Sequence, residues 1–423
     1  MMSSYRLKIL CHTFISITSQ ILTFACSAQN VTSPYSILGI GDIETKDIGR
    51  YFITGSSAVS RRDPGTYNIS NPASLSSLTL KTMNLDLAFR GKTSTFLVPG
   101  ETISSETTKD FIVKRISLAF KPSEKTGIAF GLKPYSTVNY KFQEDQTILD
   151  GNTLVSKYID GSGGINQVYF SVGKSLTKKL SVGITSSFLF GSLQKNTQYL
   201  SNDISLYILR QEKDYYTGMS AQGGIQYNTI GKKWSHIFGI TSSISTGLKG
   251  QLTTEYNTTE EVIEKNVDEK RSFNLPTTLN IGYSATYKNK VTFTTELAYN
   301  YWKYQKLDYT NSYTQPSISL SAGMEFSLNT ANPAGIKSKP YIGWGVRAEN
   351  SYLRIKNNPI PDYSFSLGGG LTAFKNVAIY TGIEIGVRGD KSKDQIREKY
   401  TQFILGINLK DIWLGTKKYG RYY

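Results

Sequence analysis

The sequence predicts an all-β protein: a transmembrane antiparallel β-barrel of about fourteen strands. Three observations carry that prediction. Apolar and polar residues alternate with period 2 from about residue 80 nearly to the C-terminus, and helical periodicity is almost absent. The chain is rich in tyrosine (29), phenylalanine (19) and glycine (37), yet its mean hydropathy is slightly negative, as expected when each strand is apolar on one face only. No run of about 18 apolar residues follows the N-terminal leader, so strands rather than helices must cross the bilayer.

The N-terminus sets the compartment. Arg6 and Lys8 precede an apolar run over 9–25, and the small residues Cys26-Ser27-Ala28 follow. This pattern predicts a secretory signal peptide over 1–28, cut after Ala28. The rival is a lipoprotein signal acylated at Cys26, to which Thr23-Phe24-Ala25 is a poor approach. Both cysteines, Cys11 and Cys26, fall in this leader, so the mature chain is expected to hold no disulfide and no cysteine-bound metal.

Alternation divides the rest into fourteen segments. The first seven lie near 82–98, 110–121, 126–142, 165–174, 180–200, 214–228 and 235–257. The second seven lie near 271–287, 290–306, 313–328, 338–355, 362–373, 376–390 and 399–412. An even number suits a single-chain barrel with both termini in the periplasm. The barrel is assigned to 79–413, and 414–423 to a basic periplasmic tail. Connections after even segments are mostly short, such as Pro122-Ser123-Glu124 and Tyr287-Lys288-Asn289-Lys290. Most of those after odd segments are longer, for example 143–164 and 257–270. That asymmetry separates short periplasmic turns from outer loops.

Charge sorts with the loops. Lys121, Lys125, Lys178, Lys179, Lys232, Lys233, Lys288, Lys290, Lys337, Lys339 and Lys375 lie in the short turns. The long loops carry Glu101, Glu106, Glu144, Asp145, Asp150, Asp160, Glu260, Glu261 and Glu264. The net charge of +16 is thus spread around one rim. A nucleic-acid binder would cluster it in a groove with stacking aromatics, so nucleic acid is excluded as a partner and outer-membrane lipid is expected.

The strand faces follow from their chemistry. Val291, Phe293, Leu297, Tyr299 and Tyr301 share one face against Thr292, Thr294, Glu296 and Asn300. Ile318, Leu320, Met324 and Phe326 oppose Ser317, Ser319, Ser321 and Glu325. Val377, Ile379, Ile383 and Ile385 oppose Tyr380, Glu384 and Arg388. A lysine or arginine facing mid-bilayer lipid costs about 2–4 kcal/mol, so the apolar sets must face out. The lumen then receives Asp86, Arg90, Arg115, Glu296, Glu325, Arg347, Glu384 and Arg388. Such charges either brace the lumen as salt-bridged ladders or line a path for a polar group.

Catalytic constellations do not emerge. The one mature histidine, His236, begins the seventh segment beside Lys232-Lys233 and reads as a surface residue. Glu260-Glu261 sits in a solvated loop, and no phosphate-cradling glycine loop or metal-ligand cluster is present. The chain is read as a non-enzyme without cofactor or metal.

Several motifs resemble one family. Leu275-Pro276-Thr277-Thr278-Leu279-Asn280-Ile281-Gly282-Tyr283, the turn over 287–290 and Leu297-Ala298-Tyr299-Asn300-Tyr301-Trp302 resemble a strand, turn and strand of the FadL/TodX-type outer-membrane transporters. The glycine-containing stretch 49–63 and Asn71-Pro72-Ala73 resemble that family's N-terminal motifs, with Ile53-Thr54-Gly55 departing from its usual "MGG". The opening Ser33-Pro34-Tyr35-Ser36-Ile37-Leu38-Gly39-Ile40-Gly41-Asp42 and the closing strand through Trp413 are similar to FadL-like proteins of Bacteroidetes-type bacteria. The resemblance implies a fourteen-strand barrel in the outer membrane with an N-terminal hatch in its lumen. Residues 29–78, which have little alternation and turn signals such as Arg62-Asp63-Pro64-Gly65, fit that hatch. It further implies a channel for hydrophobic small molecules, long-chain fatty acid-like, with such a ligand in the lumen. Bacteroidetes-type relatives of the same fold resemble shuttles of protein secretion, so a non-transporting barrel with a structural or secretion-associated role is the alternative.

Family members have a break in the third strand that opens a side window. Here Gly131-Leu132-Lys133-Pro134-Tyr135-Ser136 places Pro134, which lacks an N–H, inside the third segment. In lipid nothing replaces the lost hydrogen bond, so a wall gap is expected at Lys133, Pro134, Tyr135 and Ser136, with a bulge at the periplasmic rim as the alternative.

Overall fold

The computed structural model describes residues 33–44, 46, 49–98, 105–149, 153–201, 206–258, 262–263, 269–307, 311–328, 330–331, 337–338, 340–374 and 376–412. The expected leader with its two cysteines, the expected tail and the acidic residues Glu101, Asp150, Glu260, Glu261 and Glu264 lie outside the described residues.

Fourteen long strands make the wall. They are β1 (Thr82–Leu97), β2 (Ser105–Phe120), β3 (Thr126–Leu149), β4 (Thr153–Ser175), β5 (Leu180–Ser201), β6 (Leu206–Ile230) and β7 (Trp234–Thr258), followed by β8 (Thr277–Tyr287), β9 (Val291–Tyr301), β10 (Ser317–Ser327), β11 (Tyr341–Ile355), β12 (Asn358–Phe374), β13 (Val377–Arg388) and β14 (Arg397–Ile412). Each pairs antiparallel with the next, and β14 returns to β1 from Thr82↔Ile412 to Leu97↔Arg397. Closure meets the bilayer's demand that every backbone N–H and C=O be paired within the protein.

Period-2 chemistry places the two faces as the sequence requires. Leu320 is 55% exposed, while Ser319 and Ser321 on either side are 4% and 2% exposed. Phe293, Leu297 and Tyr299 on β9 and Ile383 and Ile385 on β13 likewise face outward; Thr292, Thr294, Tyr380, Glu384 and Arg388 face in. At the short-turn rim Trp234, His236, Tyr283 and Tyr287 stand together on the outer face. His236 Nδ1 and the Tyr283 hydroxyl share a 2.8 Å hydrogen bond, and the Trp234 and Tyr287 rings lie 4.9 Å apart. His236 is thus part of an aromatic band, the arrangement that anchors barrels at the headgroup level.

Three features depart from the sequence reading. The stretch 143–164 is no long loop: β3 and β4 continue to Leu149 and Thr153, which face each other. Strands β3–β7 run over 22 to 25 residues, against about 9–11 needed to cross a bilayer. Beyond the membrane neither face need be apolar, so the alternation that marks a strand fades there. Second, the eighth segment is split. Glu269–Phe273 pairs with β7, and the ladder to β7 resumes only at Thr278, after Pro276. Third, one connection on the long-loop side, between β11 and β12, is the two-residue turn Lys356-Asn357, both left-handed (φ 46° and 66°).

The N-terminal segment lies against the inward faces. Its three short 3-10 helices are Pro34–Ile37, Arg50–Thr54 and Pro72–Ser77. Ser33 Oγ donates to Glu398 near the long-strand end (3.0 Å), and Lys121 Nζ donates to the Ser76 carbonyl at the short-turn end (2.6 Å). Inward-facing glycines admit this chain. A Cβ on Gly345 would lie 2.2 Å from the Gly55 nitrogen, and one on Gly183 2.4 Å from the Pro72 carbonyl carbon. Real side chains cannot approach backbone that closely, so bare wall is the condition for seating the segment.

Because the outer face is set by transfer energy, Leu320→Arg is expected to lower the unfolding free energy by roughly 2–4 kcal/mol. Guanidinium titration in lipid vesicles measures this; an unchanged midpoint would mean that Leu320 does not meet lipid.

Candidate functional site

The third strand contains a discontinuity at the proline. The β2–β3 ladder covers Phe120↔Ile128 to Ile116↔Leu132 and goes no further among the described residues, although β3 continues to Leu149. Two bulges flank the point of separation. On β2 the register against β1 slips between Arg115 and Val113, so Lys114 and Arg115 are both buried although adjacent. On β3 the register against β4 slips between Pro134 and Ser136, leaving Tyr135 as the extra residue. Facing parity reverses there: Ala129 is buried before the bulge, and Ser136, Val138 and Tyr140 after it.

The freed edge of β3 is taken up by the N-terminal segment. Asp42–Ile43 forms a short antiparallel ladder with Thr137 and Ser136, and the Glu44 N–H donates to the Tyr135 carbonyl at 2.9 Å. Ser136 Oγ donates to the Ile40 carbonyl (2.7 Å). The Glu44 carboxylate reaches three strands: Arg90 on β1 at 3.3 Å, Lys114 on β2, and the Thr137 hydroxyl on β3 at 3.4 Å. A cavity of about 230 Å³ lies inside this point, lined by Lys133, Pro134 and Tyr135 on one side and by Lys114, Arg115, Glu296 and Arg347 among the rest.

The eight charges assigned to the lumen all lie on inward faces, and most meet the N-terminal segment. Glu325 accepts from Arg50 (2.9 Å) and Arg61 (2.8 Å). Glu384 accepts from Lys46 at 2.6 Å. Glu296 accepts from the backbone N–H groups of Ala58 (2.7 Å) and Val59 (2.9 Å). Arg388 donates to Asp42 at 2.7 Å. Arg90 spans Glu44 and Asp110, the latter at 3.0 Å. The other pairs lie within the wall: Arg115 with Asp86 at 2.6 Å and Arg347 with Glu349 at 2.9 Å.

The Asn71-Pro72-Ala73 motif is a structural joint. Asn71 caps the helix Pro72–Ser77, accepting from the Ala73 N–H at 3.1 Å. Its amide nitrogen donates to the carbonyls of Val59 (2.9 Å) and Ile225 (3.2 Å), tying the segment to itself and to β6. Asp42, Glu44, Lys46 and Lys114 escaped the sequence reading. Lys114-Arg115 carried a usable signal, since two neighbouring charges in a strand can both face inward only at a bulge.

Comparison with known proteins places this geometry. A family model described as BamG matches residues 9–420. The chain belongs to the BamG family. No curated protein matches it. Among solved structures, this BamG-family chain is similar to a FadL homologue of Pseudomonas aeruginosa, with 9% identity and a TM-score of 0.59 over 88% of this chain and 100% of that one. It is similar to the Pseudomonas putida toluene transporter TodX at 13% identity and TM-score 0.56, over 88% and 99% of the two chains. The CymD monoaromatic hydrocarbon channel matches at 12% identity and TM-score 0.53, over 90% and 99%. At such identities the likeness is one of fold: a multi-pass β-barrel of the outer membrane.

Glu325 is almost fully buried and holds two arginines of the segment. Glu325→Gln leaves both cations under-neutralised and is expected to cost about 3–5 kcal/mol. Trypsin should then cut at Arg61 or Arg62 under conditions where the parent protein resists. Equal resistance in the two proteins would show that the segment is held by other contacts.

Proposed function

We propose that this protein passes hydrophobic small molecules across the outer membrane, with exit sideways through the wall near Pro134. The carrying observation is the end of the β2–β3 ladder at Leu132 beside a cavity that reaches Lys133, Pro134 and Tyr135 from inside. An apolar solute leaving there enters the bilayer directly and never crosses water on the periplasmic side. The N-terminal segment then serves as a hatch that blocks the straight path down the lumen, and its strand over Asp42–Ile43 covers the window at rest. The fold neighbours, a toluene transporter and a monoaromatic hydrocarbon channel, support the general class of cargo. A long-chain fatty acid-like substrate rests on the resemblance of the motifs, as does closeness to the Bacteroidetes-type barrels.

One observation favours a second reading, a non-transporting barrel that serves as a structural or secretion-associated partner. The segment is pinned by ion pairs at Asp42, Glu44, Lys46, Arg50 and Arg61, and charged side chains line the cavity behind the window. A permanently seated plug needs such anchors; a moving one must break them.

Pro134→Val restores an N–H and favours continued β2–β3 pairing. Uptake of radiolabelled oleate by cells relying on this protein is expected to fall several-fold, with the folded barrel's heat-modifiable gel mobility retained. Undiminished uptake would remove the lateral route. Absence of oleate uptake by the parent protein, together with normal growth of Pro134→Val cells where deletion impairs growth, would favour the structural role.

A further inference from the structure

Two cavities stand on opposite sides of a small group of aromatic rings. One, about 280 Å³, opens toward the long-strand end and is lined by apolar residues such as Ile37, Phe273 and Leu307 and by charged ones such as Glu212, Asp214 and Arg271. The other is the 230 Å³ space behind the wall break, whose lining includes Trp302 and Tyr352. Phe273 meets Trp302 edge-on, with centroids 6.3 Å apart and planes at 70°. Trp302 stacks on Tyr352 at 4.4 Å and 20°. All three are buried, with exposures of 5%, 3% and 5%. The row of rings begins in the lining of one cavity and ends in that of the other.

The N-terminal chain completes the row. Tyr352 donates its hydroxyl to the Gly41 carbonyl at 3.0 Å. Gly39 and Gly41 both have left-handed φ, +63° and +96°. A Cβ on Gly39 would sit 3.0 Å from the Phe273 ring, and one on Gly41 would sit 2.5 Å from the Thr137 carbonyl on β3. The backbone is therefore wedged between Phe273 and the strand that carries the break, in a conformation and at a distance that favour glycine.

We propose that Phe273, Trp302 and Tyr352, closed by residues 39–41, form an aromatic partition between the outer-mouth cavity and the cavity behind the wall break. An apolar solute must displace it to travel between them. This rests on the transport reading. Trp302 sits where the ladder has let go, and Phe273 is the last residue of its strand to be paired, opposite Leu248. Phe273 ends the short strand Glu269–Phe273 just before the irregular stretch at Pro276, and Trp302 follows the last residue of β9. Displacing the partition asks only for side-chain rotation, which leaves the backbone ladders intact. The partition is the narrow point that selects solutes by width and polarity, because a flat apolar body replaces ring contacts that a charged group cannot.

The test uses full-length protein in detergent with Trp302 as the sole tryptophan (Trp234, Trp344 and Trp413 changed to Phe), and a companion keeping only lipid-facing Trp344. Both are titrated with a brominated stearate, a heavy-atom quencher. Saturable quenching of Trp302 is expected, with only gradual, unsaturable quenching of Trp344. Separately, Phe273→Ala is expected to raise oleate uptake by cells at least threefold at unchanged heat-modifiable mobility; Phe273→Leu, which keeps the bulk, separates widening from misfolding by staying near the parent rate. Parent protein that takes up oleate while Trp302 is not saturably quenched, or while Phe273→Ala leaves uptake unchanged, overturns the partition and leaves the transport reading standing. Absence of uptake by the parent and by Phe273→Ala overturns both.

Discussion

Hydrocarbon offers no partner to an N–H or C=O, and each orphan there costs several kcal/mol. Closing fourteen strands on themselves answers that constraint, and the remainder of the molecule follows from where the answer is incomplete. The β2–β3 ladder ends at Ile116↔Leu132. Beyond it the chain itself supplies a substitute: two residues of strand at Asp42–Ile43, and the Glu44 N–H on the Tyr135 carbonyl. The wall break and the N-terminal segment are therefore one feature in energetic terms. Removing the segment would expose unpaired backbone on β3, and sealing the wall would displace the segment.

The interior electrostatics make the same dependence visible from the other side. The segment that fills the lumen takes Glu325, Glu384 and Arg388 out of water, and it also supplies their partners, Arg50, Arg61, Lys46 and Asp42. A buried charge without its partner is far costlier than the pair is favourable. Such pairs specify where the segment sits more than they stabilise it. Close seating depends on the inward glycines, which let backbone meet backbone at Gly345 and Gly183, where any larger residue would hold the segment off its charges.

Much of the fold was legible because the bilayer imposes a strict code. With one face in lipid and one inside, alternation alone returned the number of strands, and the lipid side of β9, β10 and β13 followed from Phe293, Leu320 and Ile383. Legibility failed where that code stops applying. The extensions of β3 and β4 past residue 142 stand clear of lipid and need no apolar face, so they read as loop. The charges assigned to the lumen were identified by parity, whereas their partners were not. Asp42, Glu44 and Lys46 lie in a segment without periodicity, and their positions depend on distant pairings: Asp42 with Arg388 and Lys46 with Glu384, both more than 300 residues away, and Glu44 with Arg90 and Lys114. Pro134 pointed to β3, but the matching slip on β2 lay in the adjacent pair Lys114-Arg115, whose conflict with period 2 becomes informative only beside the proline.

Apolar packing and ion pairs both hold the N-terminal segment against the wall. The apolar cluster that holds Ile165, Leu189, Leu248, Leu353 and Ile360 packs around Tyr35, Leu38 and Ile40 of the N-terminal segment. Ile165 lies directly across the β3–β4 ladder from Ser136, beside the break. Arg50 and Arg61, both on Glu325, lie further along the segment toward the short-turn rim, together with the Asn71 joint. The span from Pro34 to Glu44 thus combines apolar packing with the ion pairs of Asp42 and Glu44, and the stretch after it carries the cations Lys46, Arg50 and Arg61. One segment is therefore held in two ways, its first part by apolar side chains and two acidic anchors, its second by cations seated on Glu384 and Glu325.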